Sequence, residues 1–178
     1  MKKKIHFYLL PFLVLILMTA CGNKQAVEED KSLHVMFLSQ IPSAYEQGVV
    51  NMISPILGEV ELDLNLFPAS HEKLAIEIVA KKVDLFIVDY SLRHIILDSY
   101  GLSPLDEFID FIPSSISYEE YILEDDESGE LHLYAVPLSN DSQLLQKLGL
   151  ESSTPLLAVI VKHSPYQEIG KQILEQLL

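Results

Sequence analysis

Between residues 33 and 88, short apolar runs alternate with stretches of helical periodicity. Residues 33–38 and 83–88 are nearly continuous apolar runs of strand length, and residues 60–66 alternate apolar and polar side chains. Residues 42–57 and 71–82 lie between these runs and carry apolar side chains at helical spacing. This β-α-β-α-β order predicts a parallel sheet whose crossover connections are right-handed.

Local signals mark the ends of the two helices. Gly58 is placed to end the first helix, and Pro55 predicts that its last turn is shortened or kinked. Ser70 is a suitable N-cap for the second helix. The face of the second helix that we expect to be buried consists of Leu74, Ala75, Ile78 and Val79.

The rest of the chain continues the alternation. Short helices are expected at residues 92–100 and 105–112, strands at 131–136 and 156–161, and a final helix at 166–178. A chain of this length suits one domain with a sizeable core. The expected fold class is therefore α/β, with a single three-layer domain over residues 33–178 and a mainly parallel sheet.

The N-terminus has the pattern of a secretory signal. Three lysines, Lys2 to Lys4, precede an almost unbroken apolar run at residues 7–18. That run is shorter than the roughly 20 residues that a membrane-spanning helix needs, and it fits the apolar core of a signal peptide.

The next five residues, Leu17-Met18-Thr19-Ala20-Cys21, resemble the lipobox of bacterial lipoproteins. The resemblance implies a signal peptide at residues 1–20, a diacylglycerol thioether on Cys21, and acylation of the new amine with a fatty acid such as palmitate. Residues 21–32 are then the lipid anchor and a polar tether, and the domain lies on the extracytoplasmic face of the cell membrane. An ordinary secretory signal with a chance cysteine, or an uncleaved helix, is the alternative.

Charge and cysteine content exclude several classes of protein. The chain carries 12 basic and 26 acidic residues, a net charge of −14. Removing the signal removes three lysines and no acid, which leaves 9 − 26, or −17. Nucleic acids bind basic surfaces, so a nucleic-acid partner is excluded. The single cysteine allows no internal disulfide and no zinc site made of several cysteines.

Three phrases resemble the solute-binding proteins of ABC importers, particularly their carbohydrate-binding members. They are residues 82–89 (KVDLFIVD), residues 100–108 (YGLSPLDEF) and residues 128–138 (SGELHLYAVPL). The resemblance covers about residues 33–150. Members of that family have two lobes, and the resemblance implies one lobe here. Only residues 151–155 separate Leu150 from the strand expected at 156–161, which leaves no room there for a second lobe. The chain also has no tryptophan, the usual platform for stacking a sugar.

Polar side chains follow the predicted strands at their carboxyl ends, where ligands of parallel α/β sheets usually bind. The candidate ligand-binding residues are Ser39, Ser70, Asp89, Tyr90 and Ser91, with Ser139, Asn140 and Asp141 as further members. Tyr90 and Tyr134 are candidates for stacking on a ring. The alternative is that Ser70, Asp89 and Ser91 are only helix caps.

The sequence contains no motif for catalysis, metal binding or cofactor binding. The histidines are scattered without metal-ligand spacing, and the acidic residues 119–130 do not follow the calcium-loop pattern. We therefore expect no enzymatic activity, no metal and no cofactor. Besides the membrane, held through Cys21, the expected partner is a polar small molecule or, alternatively, a protein of the cell envelope.

Overall fold

In a computed structural model, which describes residues 31–178, the apolar runs of the N-terminal half form three parallel strands. Strand β1 (Ser32–Leu38) pairs with β2 (Glu61–Phe67) on one side and with β3 (Leu85–Asp89) on the other. The predicted β-α-β-α-β unit is confirmed. The signal at residues 1–20 and the lipidation site Cys21 lie outside the described residues.

Two later strands complete a five-stranded sheet in the order β2-β1-β3-β7-β6. Strand β7 (Leu156–Ile160) runs antiparallel to both of its neighbours, β3 and β6 (Val136–Leu138). The expected mainly parallel sheet is thus a mixed sheet in which four strands share one direction. Apolar periodicity does not indicate strand direction, because a buried strand has the same apolar pattern whether it is parallel or antiparallel to its neighbours.

The strand predicted at residues 131–136 is wrong as a single element. Leu131–Leu133 forms β5, which pairs with β4 (Ile122–Glu124) in a separate two-stranded sheet. Tyr134 and Ala135 then carry the chain into the main sheet, and the Tyr134 amide donates to the Tyr121 carbonyl, 2.9 Å away. All residues from 133 to 138 are buried, so a continuous apolar pattern conceals the change of sheet.

The first helical segment is divided by its sequence. Helix α1 (Glu46–Ile53) lies between two 3-10 turns, Ser43–Tyr45 and Ser54–Ile56. Pro55 falls in the second turn, and Gly58 follows at a φ of 60°. Proline lacks the amide that would continue the helix, and glycine takes the left-handed conformation at little cost.

Four more α-helices follow within the described residues, with 3-10 segments between them. Helix α2 (His71–Ala80) begins at Ser70, whose hydroxyl accepts from the Lys73 amide at 3.2 Å, as predicted. The segment predicted as a helix at residues 92–100 is a 3-10 turn followed by the short α3 (Arg93–Ile96). Residues 106–111 are a 3-10 helix. Helix α4 (Gln143–Leu148) was not predicted, whereas α5 (Gln167–Leu177) was.

The helices cover both faces of the sheet. Right-handed crossovers from β1 to β2 and from β2 back past β1 to β3 place α1 and α2 on opposite faces. Consistent with this, α1 packs with α4 and α5, whereas α2 packs with α3. Gly170 of α5 lets that helix approach the sheet closely, because a Cβ there would lie 3.1 Å from Ile160 Cδ1.

The buried face predicted for α2 is largely wrong. Leu74 is buried, but Ala75 is exposed, Ile78 is 37% exposed and Val79 is 81% exposed. Helical spacing shows which side chains share a face of the helix. It does not show whether another element covers that face. In α2, much of the predicted face is exposed to solvent.

Replacing Gly170 by valine is expected to lower the free energy of unfolding by about 1–3 kcal/mol, the usual cost of overpacking a core. The added methyl groups would meet Ile160. Urea unfolding measures the change. Gln172→Val, an exposed position on the same helix, is the matched control and should cost only a few tenths of a kcal/mol. Equal effects of the two substitutions would contradict the close packing of α5 on β7.

Candidate functional site

The five predicted ligand residues follow the carboxyl ends of β1, β2 and β3, which we call the carboxyl edge of the sheet. Ser39 follows β1 directly, Ser70 lies three residues after β2, and Asp89 is the last residue of β3. Tyr90 and Ser91 lie in the 3-10 turn that leads into α3. Parallel pairing of the three strands brings these segments to the same edge.

Three of the five side chains are used by the local backbone. The hydroxyl of Ser39 accepts from the Ile41 amide at 3.3 Å, and Ser39 is buried. Ser70 caps α2, and the Asp89 carboxylate accepts from the Ser91 amide at 2.9 Å. These bonds satisfy amide groups that helix starts and turns leave unpaired. The capping roles considered for Ser70 and Asp89 are therefore present.

Tyr90 instead belongs to a cluster of side chains from two separate segments. Its hydroxyl donates to both carboxylate oxygens of Glu120, at 3.1 Å each. The guanidinium of Arg93 lies over the Tyr90 ring, 4.2 Å from its centroid, and Arg93 Nε is 3.3 Å from Glu120 Oε2. Tyr90 and Arg93 are three residues apart, so helical geometry brings them to one face. We call these three residues the carboxyl-edge cluster.

The surroundings of Tyr90 favour the protonated form of its hydroxyl. Desolvation, together with the hydrogen bond to Glu120, raises the pKa of Tyr90. Desolvation also raises the pKa of the buried neighbour Tyr121. Arg93 and Glu120 keep 32% and 40% of their side-chain surfaces exposed. The cluster thus presents a guanidinium, a carboxylate and a phenol to solvent, which are groups that can hydrogen-bond a polar ligand.

The sequence-based reasoning missed Arg93 and Glu120. Arg93 is the only arginine in the sequence, which is a signal that was available. Glu120 is one of the acidic residues in 119–130, and nothing in the sequence pairs it with Tyr90, 30 residues away. The proposed stacking role of Tyr134 is wrong, because Tyr134 is fully buried. The further candidate Asn140 exchanges two hydrogen bonds with the Ser152 backbone, at 2.8 and 3.0 Å.

The acidic residues 119–130 surround a hairpin turn between β4 and β5. Asp125 Oδ1 accepts from the amides of Glu127 and Ser128 at 3.0 and 2.8 Å, and Oδ2 accepts from the Tyr134 hydroxyl at 3.0 Å. The bond from Ser128, with help from Tyr134, lowers the pKa of Asp125 to about 2. The Asp125 carboxylate therefore stabilises the turn and also binds the hydroxyl of Tyr134, the buried tyrosine that follows the turn.

The hairpin is also fastened at its base. Asp106 accepts from the Leu133 amide at 2.7 Å and lies 2.5 Å from Nδ1 of His132. The hydrogen bond to Asp106 raises the pKa of His132. Across residues 31–178 no group of three or more His, Cys, Asp or Glu side chains is arranged to hold a metal ion.

A groove of about 570 Å³ lies at the opposite edge of the sheet, where β3 begins and β7 ends. Its walls come from α2, α3, residues 98–102 and residues 161–163. Apolar side chains form most of the wall: Ile78, Val79, Val83, Phe86, Ile95, Ile96, Tyr100, Leu102 and Val161. None of the five predicted ligand residues lines it. Sequence periodicity does not predict this groove, because it assigns the exposed part of α2 to the core.

Comparison with known proteins supports a lipoprotein. The chain is 23% identical over 177 residues to a Bacillus subtilis (strain 168) protein named "Putative lipoprotein YteS", and the match covers 99% of this chain and 98% of that protein. No family model matches the chain. Within residues 31–178, no helix has the length and apolar character needed to cross a membrane. The similarity supports a protein anchored to a membrane of the cell envelope.

Replacing Asp125 by asparagine is expected to lower the urea midpoint at pH 7. The folded-state pKa of about 2 lies below the ordinary value of 3.8, so the ionised form is favoured by folding. This stabilisation is present above about pH 4 and is lost as the pH falls through 2. The gap between wild type and variant should therefore close between pH 4 and pH 2. A gap of constant size, or an equal loss in the exposed-site control Asp126→Asn, would refute this role for Asp125.

Proposed function

We propose that this chain is a lipoprotein held on the extracytoplasmic face of the cell membrane through Cys21, and that it works as a non-catalytic binding module. The lipobox residues 17–21 support the anchor, as does the similarity to a protein named as a lipoprotein. Two or three acyl chains give stable membrane binding, whereas one gives only marginal binding.

The carboxyl-edge cluster carries the proposal of a binding role. Tyr90 and Arg93 come from the β3–α3 connection, and Glu120 comes from a 3-10 turn 30 residues further on. Because the guanidinium and the carboxylate largely neutralise each other, the cluster suits an uncharged polar ligand better than an ion. Ser91 is exposed beside it and adds a hydroxyl.

We further propose that the domain is related to one lobe of a solute-binding protein. Two of the phrases that resemble that family are in direct contact, because the Leu105 amide donates to the Leu133 carbonyl at 2.7 Å. Val161 links the third phrase to them: it forms a bridge with Leu102, and its amide donates to the Asp84 carbonyl at 3.1 Å. Residues 149–155 connect α4 directly to β7. A second lobe is therefore not inserted at that connection, so this module does not close on a ligand by a hinge there.

A protein of the cell envelope is the second candidate ligand. Tyrosine and arginine are the residue types that most often dominate the energy of protein interfaces, and Tyr90 and Arg93 lie together at an exposed edge. The two candidates differ in what they require: a small solute must bind the purified domain alone, whereas a protein partner must be supplied.

Replacing Cys21 by serine in the full chain is expected to abolish membrane association, because serine cannot form the thioether. Partition into Triton X-114 detergent, together with the mass of the N-terminal peptide, measures the anchor. Gly22→Ala, the adjacent position, is the control and should partition like wild type. Detergent partition of the Cys21→Ser chain at the wild-type level would refute the anchor.

A selective rise in thermal midpoint is expected when residues 22–178 meet a matching ligand from a panel of sugars, amino acids and short peptides. A ligand at 100 times its Kd adds about 2.7 kcal/mol, which raises Tm by roughly 5–10 °C at this size. Arg93→Gln and Tyr90→Phe should each reduce the rise, whereas Gln172→Ala on α5 should leave it unchanged. A flat panel on a folded domain would favour the protein partner, and a rise that survives both substitutions would exclude this site.

A further inference from the structure

The groove lies at the edge of the sheet where the chain enters the domain. Strand β1 begins at Ser32, and its neighbour β3 is parallel to it, so both strands start at this edge. The Asp84 amide donates to the His34 carbonyl at 2.9 Å, and the preceding residue, Val83, lines the groove. We call this side the amino edge.

Apolar side chains at the amino edge are exposed on the outer side of the groove. Val79 is 81% exposed, Tyr100 is 70% exposed, and Ile76, one turn before Val79 on α2, is 58% exposed. Val79 and Tyr100 both line the groove, so the exposed side chains and the apolar walls form one continuous surface. Contiguous exposed apolar surface of this kind marks an interaction site.

The charges around this surface are close to balanced, although the chain as a whole is strongly acidic. Glu77, Asp98 and Glu127 line the groove together with Lys81 and Lys162. Lys162 is 3.8 Å from Glu127, and Glu77 is paired with Lys73 at 3.0 Å. This side of the domain therefore carries little of the negative charge of the chain, whose net charge is −17 without the signal, and is repelled less from a lipid surface than the other sides.

The composition of the amino edge also suits the boundary between lipid and water. Tyrosine is enriched at that boundary because its ring is apolar and its hydroxyl is polar. Lys81 and Lys82 follow α2 and are exposed, and lysine can bury its methylene stem while its ammonium group stays in water. Moving aliphatic side chains such as Ile76 and Val79 out of water lowers the free energy.

The tether keeps the amino edge near the bilayer. Ten residues, 22–31, lie between Cys21 and Ser32, which makes eleven Cα–Cα steps. Such a segment spans at most about 40 Å and averages about 18 Å when flexible. A surface held this close to its target has an effective concentration in the millimolar range, so contacts that are weak in free solution become populated.

We propose that the amino edge docks on the lipid bilayer, with Ile76, Val79 and Tyr100 entering the boundary between headgroups and acyl chains. This proposal rests on the proposed anchor at Cys21. It orients the domain: the groove faces the membrane, and the carboxyl-edge cluster faces away from it, open to the extracytoplasmic space.

A fluorescent probe at position 79 tests the docking. Cys21 carries the lipid, so Val79→Cys adds a single free thiol for an environment-sensitive nitrobenzoxadiazole label in the full lipidated chain. Ser153→Cys, an exposed position in the connection that leads to the carboxyl edge, is the matched control. In phosphatidylcholine vesicles we expect a blue shift at position 79 and loss of its emission on adding spin-labelled lipid, with neither effect at position 153. Ile76→Cys should respond like Val79→Cys.

The other outcomes overturn the proposal in distinguishable ways. A chain that carries its lipid and sediments with vesicles, but whose probe at 79 behaves like that at 153, refutes docking and leaves the anchor intact. A response in native membranes that is absent from protein-free vesicles assigns the amino edge to a protein partner instead. A Cys21 without lipid, shown by mass, refutes the anchor and the docking together.

Discussion

Asp84 joins the parallel and antiparallel parts of the sheet at the amino edge, and the way β1, β3 and the segment after β7 meet there depends on it. Its carboxylate is buried and accepts from the His34 amide at 2.8 Å and from the Ser164 hydroxyl at 2.6 Å. Its backbone pairs with His34 on one side and with Val161 on the other. One residue thus connects β1, β3 and the segment after β7, and its hydrogen bonds offset the cost of burying a carboxylate.

The two ends of the parallel strands carry surfaces of different chemistry. At the carboxyl edge, side chains are polar and many are committed to the backbone, so that only a few remain to meet a ligand. At the amino edge, apolar walls and exposed aliphatic side chains surround a groove. A domain tethered at the start of β1 can use both surfaces at once, because strand direction places them about one strand length apart.

Serine and aspartate at strand ends illustrate the limit of reading a site from sequence. The same oxygen that could bind a ligand is also a good acceptor for unpaired amides in a turn or at the start of a helix. Ser39, Ser70 and Asp89 all make such bonds, whereas Tyr90 has a side chain too long to cap its own turn and reaches Glu120 instead. The type and position of such a residue are the same whether it caps the backbone or binds a ligand. Only its hydrogen-bond partners in the structure distinguish the two roles.

The sequence by itself determined the first three strands, the Ser70 cap and the closing helix, because these depend on local periodicity and on groups a few residues apart. It also determined that the three strands are parallel, because a helix connects each strand to the next. Only the tertiary structure decided the direction of β7, the change of sheet at Tyr134, the exposure of Val79 and the contact between Tyr90 and Glu120. Each of these depends on which segments meet across many residues. Apolar periodicity indicates which side chains favour burial. Whether a neighbouring element covers them depends on the packing of the whole domain.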